Sequence, residues 1–249
     1  MKERNLLAKY PNPKQKTLFI WPEGVFTGYS YEDLSQFRNL FKNNFSEKHL
    51  ILFGINTYNQ EDEQFFNSLL VINNNFEILY QYNKIKLVPF GEFLPLENIF
   101  NQFGLKKITE GLGSFTAGVL QKNFVIDYLN ILPLICYEII FTELTQKANN
   151  KTNLIVNISE DGWFGNSIGP HQHLAKAIFR SVENDLFLVR SANKGISVIL
   201  SNKGEIIKKL DTNETGNIEM EIPLLKAEYK NKNDLIFFIL LFTYLFIFL

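Results

Sequence analysis

Cysteine, histidine and net charge are all scarce in this sequence, and each scarcity narrows the range of functions. The single cysteine, Cys136, cannot form an internal disulfide, so its thiol serves either packing or chemistry. A net charge of −1 provides no basic surface of the kind that binds nucleic acid. Two of the three histidines, His171 and His173, form an isolated His-x-His pair without the further ligands that a zinc site needs. We therefore expect no nucleic acid partner, no metal and no cofactor.

Cys136 ends an apolar, strand-like run that begins at Ile131, and it stands where a catalytic nucleophile would stand. Most free cysteines are small buried hydrophobic side chains, and Cys136 alone does not exclude that interpretation. The catalytic interpretation of Cys136 gains support because two other segments of the chain also carry a polar group at the end of an apolar run.

The first of these segments is Thr17-Leu-Phe-Ile-Trp-Pro-Glu23-Gly, in which an apolar strand meets a Pro-Glu-Gly break. Glutamate is rarely fully buried unless it is paired or functional, although an ordinary surface turn would also explain Glu23. In the second segment, Lys84 opens an apolar stretch that Pro89 and Gly91 interrupt, and a solvated lysine is the simpler alternative. An acid, a cation and a thiol thus follow one another at strand ends, where active-site groups commonly gather.

These three groups are the ones that covalent catalysis by a thiol requires. A thiol is mostly protonated at neutral pH, so a carboxylate within hydrogen-bond reach must accept its proton. A nearby lysine lowers the pKa of the thiol and stabilises the oxyanion of a tetrahedral intermediate. The expected product is a thioester acyl-enzyme.

The pattern of apolar residues predicts alternating strands and helices packed in layers. A helix begins after Ser30, where Asp33 stands in a capping-box position and Leu34, Phe37 and Phe41 share one face. A second helix spans about 172–184, and the turns at 73–75 and 202–204 predict hairpins. Strands are expected at about 17–21, 50–57, 68–73, 76–82, 124–127, 131–136, 153–158, 186–191, 196–201 and 205–210.

Longer motifs around these groups resemble the nitrilase (carbon–nitrogen hydrolase) superfamily, and within it the apolipoprotein N-acyltransferases. The motifs are Trp21-Pro-Glu-Gly, Tyr82-Asn-Lys-Ile-Lys-Leu-Val-Pro-Phe-Gly-Glu-Phe-Leu-Pro95, Cys136-Tyr-Glu, Asn157-Ile-Ser-Glu-Asp-Gly-Trp-Phe-Gly165 and Gly169-Pro-His-Gln-His173. Arg180-Ser-Val-Glu183 and Arg190-Ser-Ala-Asn-Lys-Gly195 follow in the same order. The resemblance covers about residues 17 to 249.

The resemblance implies a role for each candidate site residue. Glu23 would be the general base, Lys84 the cation that stabilises the oxyanion, and Cys136 the nucleophile. Glu92 would orient Lys84 from beside it. The supporting residues Tyr137 and Glu138 would shape the pocket beyond the thiol, and Glu138 favours the acyltransferase branch, because typical nitrilases tend to have an aromatic–Asp pair after the cysteine.

The resemblance also implies an α/β fold, the nitrilase-like four-layer α-β-β-α sandwich. We expect it to lack its first strand, because the charged stretch Met1 to Lys16 is a poor strand. The predicted organisation is a polar N-terminal segment at 1–16, a catalytic domain at 17–225, a basic linker at 226–234 and a transmembrane segment at 235–249. The last of these runs for fifteen residues from Leu235 to Leu249 without a charge.

By resemblance, the enzyme would move a fatty acyl chain from a phospholipid donor to the N-terminal cysteine of an apolipoprotein acceptor. It would act at the bacterial inner membrane with its catalytic domain in the periplasm. The acyltransferases normally have several membrane-spanning helices before this domain, so we expect the chain to act as their C-terminal part together with a separate N-terminal membrane part.

Two alternatives stay open. The first is a carbon–nitrogen hydrolase that cleaves a small amide, which the apolar tail and Glu138 disfavour. The second is an inactive membrane-associated remnant, which the intact set of Glu23, Lys84 and Cys136 disfavours. By resemblance Arg180 and Glu183 would lie near the acid–base groups, whereas their spacing alone predicts a surface ion pair.

Overall fold

The computed structural model describes residues 12–93, 114–120, 122–145, 151–225 and 234–248. The strands are β1 (Thr17–Ile20), β2 (His49–Asn59), β3 (Gln64–Ile72), β4 (Ile78–Asn83), β5 (Phe124–Ile126), β6 (Leu129–Ile135), β7 (Leu154–Glu160), β8 (Leu188–Asn193), β9 (Ser197–Leu200) and β10 (Ile206–Leu210). The helices are α1 (Tyr31–Leu34), α2 (Arg38–Asn44), α3 (Thr142–Thr145), α4 (Gly169–Asn184) and α5 (Asp234–Phe248). Each of the ten strands overlaps a strand predicted from the sequence.

The strands form two sheets, one in the order β1-β2-β3-β4 and the other in the order β10-β9-β8-β7-β6-β5. In the first sheet β1 runs parallel to β2, and β3 and β4 are each antiparallel to the preceding strand. The carboxyl ends of β1 and β4 therefore meet at one edge. In the second sheet β6, β7 and β8 are parallel, so their carboxyl ends also share an edge. Glu23, Lys84 and Cys136 all follow strands that end at these edges.

Three hydrophobic clusters show how the elements are layered. One cluster joins Leu52 and Leu69 of the first sheet to Ile135 and Val156 of the second, so the sheets pack face to face. On the outer face of the first sheet, Leu34, Phe41 and Phe45 from the α1–α2 region pack on Phe53 and Leu70. On the outer face of the second sheet, Leu174 and Ala177 of α4 pack on Leu132, Ile155 and Leu188. This order is the four-layer α-β-β-α arrangement that the resemblance implies.

Local signals in the sequence set several element boundaries. The Ser30 hydroxyl accepts from the Asp33 backbone N–H, and the Asp33 carboxylate accepts from the Ser30 backbone N–H, which confirms the capping box. Turns at 73–75 and 202–204 connect β3 to β4 and β9 to β10, as predicted. The predicted second helix, at about 172–184, is α4, which begins three residues earlier, at Gly169, and ends at Asn184.

The C-terminal helix α5 contains 15 residues, and every described side chain from 237 to 247 is exposed. No helix in the described ranges is both long and apolar enough to cross a membrane, so the predicted transmembrane segment at 235–249 is not confirmed. The expected absence of a first strand before Thr17 and the basic linker fall largely on residues 1–11 and 226–233. These residues lie outside the described ranges.

Candidate active site

Lys84 lies at the centre of a group of acidic and amide side chains between the two sheets. It follows β4 directly, and its side chain is only 1% exposed. Its Nζ atom donates a 2.8 Å hydrogen bond to Glu92 Oε1 and lies 3.6 Å from Glu23 Oε1. Burial by itself lowers the pKa of Lys84, but the charges of Glu23, Cys136 and Glu92 outweigh it and raise the pKa above its ordinary value. Lys84 is therefore a fixed positive charge in the protein interior.

Glu23 is held by one hydrogen bond to each of its carboxylate oxygens. Asn67 Nδ2 donates to Oε1 at 2.7 Å, and the backbone N–H of Glu160 donates to Oε2 at 2.8 Å. The close packing at this point requires Gly54 on β2, since a Cβ atom there would lie 2.8 Å from Glu23 Cα. The carboxylate is thus fixed in position while its residue remains 8% exposed.

Glu92 lies eight residues after Lys84 and accepts a hydrogen bond from it. Its Oε1 atom accepts from both Lys84 Nζ and Asn67 Nδ2, and its Oε2 atom accepts from the Val88 backbone N–H at 2.8 Å. Asn67 was not predicted as a site residue. Its amide nitrogen donates to Glu23 Oε1 and to Glu92 Oε1 at the same distance of 2.7 Å. Asn67 therefore bridges the two carboxylates that flank Lys84.

Cys136 lies at the end of β6, at the first residue of a short 3-10 turn. The residue is 8% exposed and its backbone has a φ of +49°, a value that residues other than glycine seldom adopt. Burial, and next the negative charge of Glu23, raise the pKa of the thiol to about 12, although the charge of Lys84 and a hydrogen bond with Ser159 act in the opposite direction. The thiol is therefore protonated at neutral pH and needs a base before it can attack.

Tyr137 does not itself line a cavity, but it packs on Phe141, one of the side chains that line a cavity of about 430 Å³. Its ring packs edge to face on Phe141, with centroids 5.2 Å apart, and Phe141 lines the cavity together with Ile85, Leu87, Phe93 and Phe115. The cavity begins at the residues that follow Lys84. It is lined mainly by apolar side chains, so it is suited to an apolar group.

Glu138 is not one of the side chains that line the cavity, but it binds the backbone of two residues that do, Ile85 and Lys86. It is fully buried, and its carboxylate accepts hydrogen bonds from Tyr82 Oη and from the backbone N–H groups of Ile85, Lys86 and Ile135. Burial raises the pKa of Glu138, and these hydrogen bonds oppose the rise. Glu138 therefore ties the segment after Lys84 to the strand that carries Cys136.

A second polar network lies behind the thiol. His173 of α4 contacts the Cys136 carbonyl oxygen through Nε2 at 3.1 Å and Asp161 Oδ1 through Nδ1 at 3.0 Å. Arg190 of β8 binds both carboxylate oxygens of Asp161 at 2.9 and 2.8 Å and also donates to Asn157 Oδ1. The sequence marked His173 only as a weak metal candidate. Among the described residues, no group of three or more His, Cys, Asp and Glu side chains is placed to hold a metal ion.

Arg180 and Glu183 form the ion pair that their spacing predicts. Arg180 Nη2 lies 3.0 Å from Glu183 Oε1, and the Arg180 side chain is 6% exposed. Both residues lie in the last turns of α4.

Together these groups supply the types of side chain that covalent catalysis by a thiol requires. A carboxylate and an ammonium group lie beside a protonated thiol, and an apolar cavity adjoins them. Glu23 and Lys84 come from the first sheet and Cys136 from the second, so the site is formed by the docking of the two sheets.

Comparison with known proteins identifies the family to which the sequence is similar. The family model for carbon–nitrogen hydrolases matches residues 8–229. The chain is 42% identical over 160 residues to a Rhizobium leguminosarum bv. trifolii protein named apolipoprotein N-acyltransferase, which covers 64% of this chain and 30% of that protein. It is 36% identical over 217 residues to a Rickettsia prowazekii protein of the same name, covering 85% of this chain and 43% of that protein. The chain thus spans less than half the length of these curated relatives.

Solved structures share the fold at low sequence identity. Saccharomyces cerevisiae Nit3, a member of branch 10 of the nitrilase superfamily, superposes with a TM-score of 0.58 at 16% identity, covering 80% of this chain and 73% of that one. A CN-hydrolase superfamily protein from Xanthomonas campestris gives a TM-score of 0.58 at 15% identity, covering 82% and 76%. Likeness at this identity supports the nitrilase-like α/β fold alone.

Proposed function

The chain belongs to the carbon–nitrogen hydrolase family, and from that premise we propose that it is the catalytic part of a phospholipid-dependent apolipoprotein N-acyltransferase. It would transfer a fatty acyl chain from a phospholipid to the N-terminal cysteine of an apolipoprotein. The relatives that bear this name support the acyltransferase reading over an amidase. The observation that best supports covalent catalysis is the position of the buried Lys84 ammonium group. It lies between the carboxylates of Glu23 and Glu92, and its charge acts on the protonated Cys136 thiol.

In the first half-reaction, the Cys136 sulfur attacks the ester carbonyl carbon of the phospholipid while Glu23 accepts the thiol proton. The carbonyl oxygen becomes an oxyanion, which Lys84 stabilises. Collapse of the tetrahedral intermediate breaks the bond to the glycerol oxygen. Glu23 returns the proton to that oxygen, a lysophospholipid leaves, and the acyl chain remains as a thioester on Cys136.

In the second half-reaction, the α-amino group of the apolipoprotein cysteine attacks the thioester carbonyl. Glu23 accepts a proton from the amine, and Lys84 again stabilises the oxyanion. The carbon–sulfur bond then breaks, Glu23 returns the proton to the Cys136 sulfur, and an amide is released. The free enzyme is regenerated without any cofactor.

We place the acyl chain in the apolar cavity of about 430 Å³ beside Tyr137. Two of the lining side chains connect the cavity to the site. Ile85 follows Lys84 directly in the chain, and Phe141 packs on Tyr137, the residue after Cys136. Burying a methylene group of the chain there contributes about 0.8 kcal/mol, so a long acyl chain would be preferred over a short one.

Membrane association is also part of the proposal. The C-terminal helix α5 is apolar on all sides, and its described side chains are exposed, which for a helix indicates an apolar covering. Lipid is the covering that suits the proposed donor. At 1.5 Å per residue the helix is about 22 Å long, shorter than the roughly 30 Å hydrocarbon core, so we propose that it inserts into a bilayer rather than crosses it unaided.

The relatives extend beyond the matched region, so we include a further membrane portion as a partner of this domain, in the same polypeptide or a second one. We place the enzyme at the bacterial inner membrane, with the site on the periplasmic side. Its acceptor lipoproteins would be acylated there.

The test is intact-mass spectrometry of the detergent-solubilised chain after incubation with phosphatidylethanolamine, beside a Cys136→Ala variant. We expect a fatty-acyl mass increment that hydroxylamine removes and that the variant lacks. A folded protein that forms no such adduct but hydrolyses a small amide would be a carbon–nitrogen hydrolase instead. Failure of both reactions in a folded protein would indicate an inactive remnant.

A further inference from the structure

The backbone of Cys136 adopts a conformation that needs support. Its φ of +49° lies in the left-handed region, which a residue with a Cβ atom adopts only where the surrounding structure holds it. The peptide unit that follows joins Cys136 to Tyr137. Its carbonyl oxygen accepts a hydrogen bond from His173, a residue on the layer behind the sheet.

The hydrogen-bond partners of His173 show which ring nitrogen carries a proton. The Cys136 carbonyl oxygen can only accept a hydrogen bond, so the Nε2 atom of His173 carries a proton. The Nδ1 atom faces the carboxylate of Asp161 and the Nη2 atom of Arg190, each at 3.0 Å. Whether Nδ1 donates to Asp161 or accepts from Arg190, the contact from Nε2 to Cys136 is the same.

Asp161 and Arg190 hold the imidazole ring from behind. Asp161 Oδ1 also accepts from Ser159 Oγ at 2.7 Å, and the side chains of Asp161 and Arg190 are fully buried. Gly195 packs directly against the Asp161 carboxylate, because a Cβ atom at this position would overlap it. The ring of His173 is therefore fixed by charged groups that cannot easily move.

We propose that His173 is a positioning residue that sets the orientation of the Cys136–Tyr137 peptide unit for acylation. The peptide is trans, so its N–H group points away from its carbonyl oxygen. Because His173 holds the carbonyl on the side of α4, the Tyr137 N–H is turned toward the opposite side, where it stabilises the oxyanion together with Lys84. Loss of the His173 contact lets the peptide unit rotate and removes this donor.

This inference rests on the proposed thioester chemistry, but it does not depend on the identity of the acyl donor. It makes a distinction between two reactions of the same thiol. Acylation by an ester passes through an oxyanion, whereas alkylation by iodoacetamide is a direct displacement without one. A residue that orients an oxyanion donor affects the first reaction far more than the second.

The experiment compares His173→Asn with His173→Gln in the full chain in detergent. The asparagine amide ends at the position of Nδ1, so it keeps the contact to Asp161 and loses the contact to Cys136. The glutamine amide reaches the position of Nε2 and can donate to the Cys136 carbonyl. His171→Asn on the same helix is the matched control, since His171 has no part in the network.

Two rate constants are measured for each variant: release of p-nitrophenolate from p-nitrophenyl butyrate in the first turnover, and alkylation of Cys136 by iodoacetamide. For His173→Asn we expect the acylation rate to fall about tenfold to hundredfold while the alkylation rate changes less than about threefold. His173→Gln should recover most of the acylation rate, and His171→Asn should match the unsubstituted chain.

Two results would overturn the proposal. One is a parallel change of acylation and alkylation in His173→Asn, which would indicate a general loss of structure. The other is equal acylation rates in the asparagine and glutamine variants. The variants could show the expected order of ester acylation rates while the chain accepts no acyl group from phosphatidylethanolamine. That result would support the role of His173 and reject the proposed donor, so the two proposals fail separately.

Discussion

The ammonium group of Lys84 is hydrogen-bonded to Glu92, eight residues later in the chain, at 2.8 Å. The other carboxylate, that of Glu23, lies 3.6 Å from the same nitrogen. The two acids therefore have different environments: one is bonded to the lysine and the other remains available to exchange a proton with the thiol. This difference assigns the base to Glu23 in the proposed mechanism and leads to two predictions.

Glu92→Gln should slow acylation of Cys136 by about tenfold to hundredfold, because a hydrogen bond between charged groups contributes about 1.5 to 3 kcal/mol. The amide oxygen of glutamine can still accept from Lys84, so the fold should persist. The first-turnover rate with an activated ester measures the change. Glu77→Gln, at the exposed turn after β3, is the control. An unchanged rate in Glu92→Gln would show that Lys84 does not need this partner.

Glu23→Gln should change acylation and alkylation in opposite directions. The negative charge of Glu23 is, after burial, the second cause of the raised thiol pKa, so its removal lowers that pKa and increases alkylation by iodoacetamide at pH 8. Acylation loses its general base and should fall about 10²-fold to 10⁴-fold. Both rates are followed by intact mass. A parallel fall would contradict the role of Glu23 as base and indicate that it is structural.

The pH dependence of stability should report Asp161. Burial would raise its pKa, but the hydrogen bond with His173 and the charge of Arg190 lower it from 3.8 to about 2. A carboxyl group with a lowered folded pKa stabilises the protein above its unfolded pKa, and this contribution is lost as the pH falls through the folded value. The difference corresponds to roughly 2 kcal/mol, lost between about pH 4 and pH 2.

Urea unfolding at a series of pH values tests this expectation. Asp161→Asn should be less stable at neutral pH and should show a shallower loss of unfolding free energy below pH 4. Asp62→Asn, at an exposed turn, should keep the slope of the unsubstituted chain. Equal slopes for Asp161→Asn and Asp62→Asn would mean that Asp161 contributes little to acid unfolding.

Glu138→Ala should be among the most destabilising single substitutions in the described fold. It leaves the Tyr82 hydroxyl and three backbone N–H groups without their buried acceptor, at a cost of about 3 to 5 kcal/mol in unfolding free energy. Glu138→Gln retains one oxygen acceptor and should lose less. Chemical denaturation of both variants gives the comparison, and equal losses would show that the number of acceptors is not what matters.

Removal of residues 234–249 should reduce binding to lipid vesicles and increase solubility without detergent. The reason is the apolar surface of α5, on which Phe246 is 92% exposed and Phe242 65% exposed. Sedimentation with phosphatidylethanolamine-containing vesicles measures the change, with the ester burst confirming that the truncated domain is folded. If the truncated and full chains behave alike in plain buffer, α5 has no role at the membrane.

The sequence was sufficient to predict the strands and the two hairpins, because alternating apolar residues and Asn-rich turns are local signals. It was also sufficient to place Glu23, Lys84 and Cys136 at strand ends. The transmembrane segment predicted at 235–249 is not confirmed, because no helix in the described ranges is long and apolar enough to cross a membrane.

Three residues of the site had no individual role predicted from the sequence, although Asp161 and Arg190 lie within motifs that carry the resemblance. Asn67, Asp161 and Arg190 acquire their roles only through contacts between distant strands and helices, with sequence separations of 12 to 44 residues. Nothing in the local sequence distinguishes Asn67 from the other asparagines. The resemblance implies that Glu138 shapes the pocket, but it does not reveal that the carboxylate lies in the interior and accepts hydrogen bonds from the backbone of Ile85 and Ile135.

The division of the site between two sheets has a consequence for how the chain folds. Glu23 and Lys84 lie on one sheet and Cys136 on the other, so the thiol is enclosed only after the two sheets have met. Contacts between such distant parts of a chain form late, because loop-closure entropy opposes them. During refolding from denaturant, the time at which Cys136 becomes resistant to pulses of an alkylating reagent should therefore mark the moment of sheet docking, and the single cysteine makes the signal unambiguous.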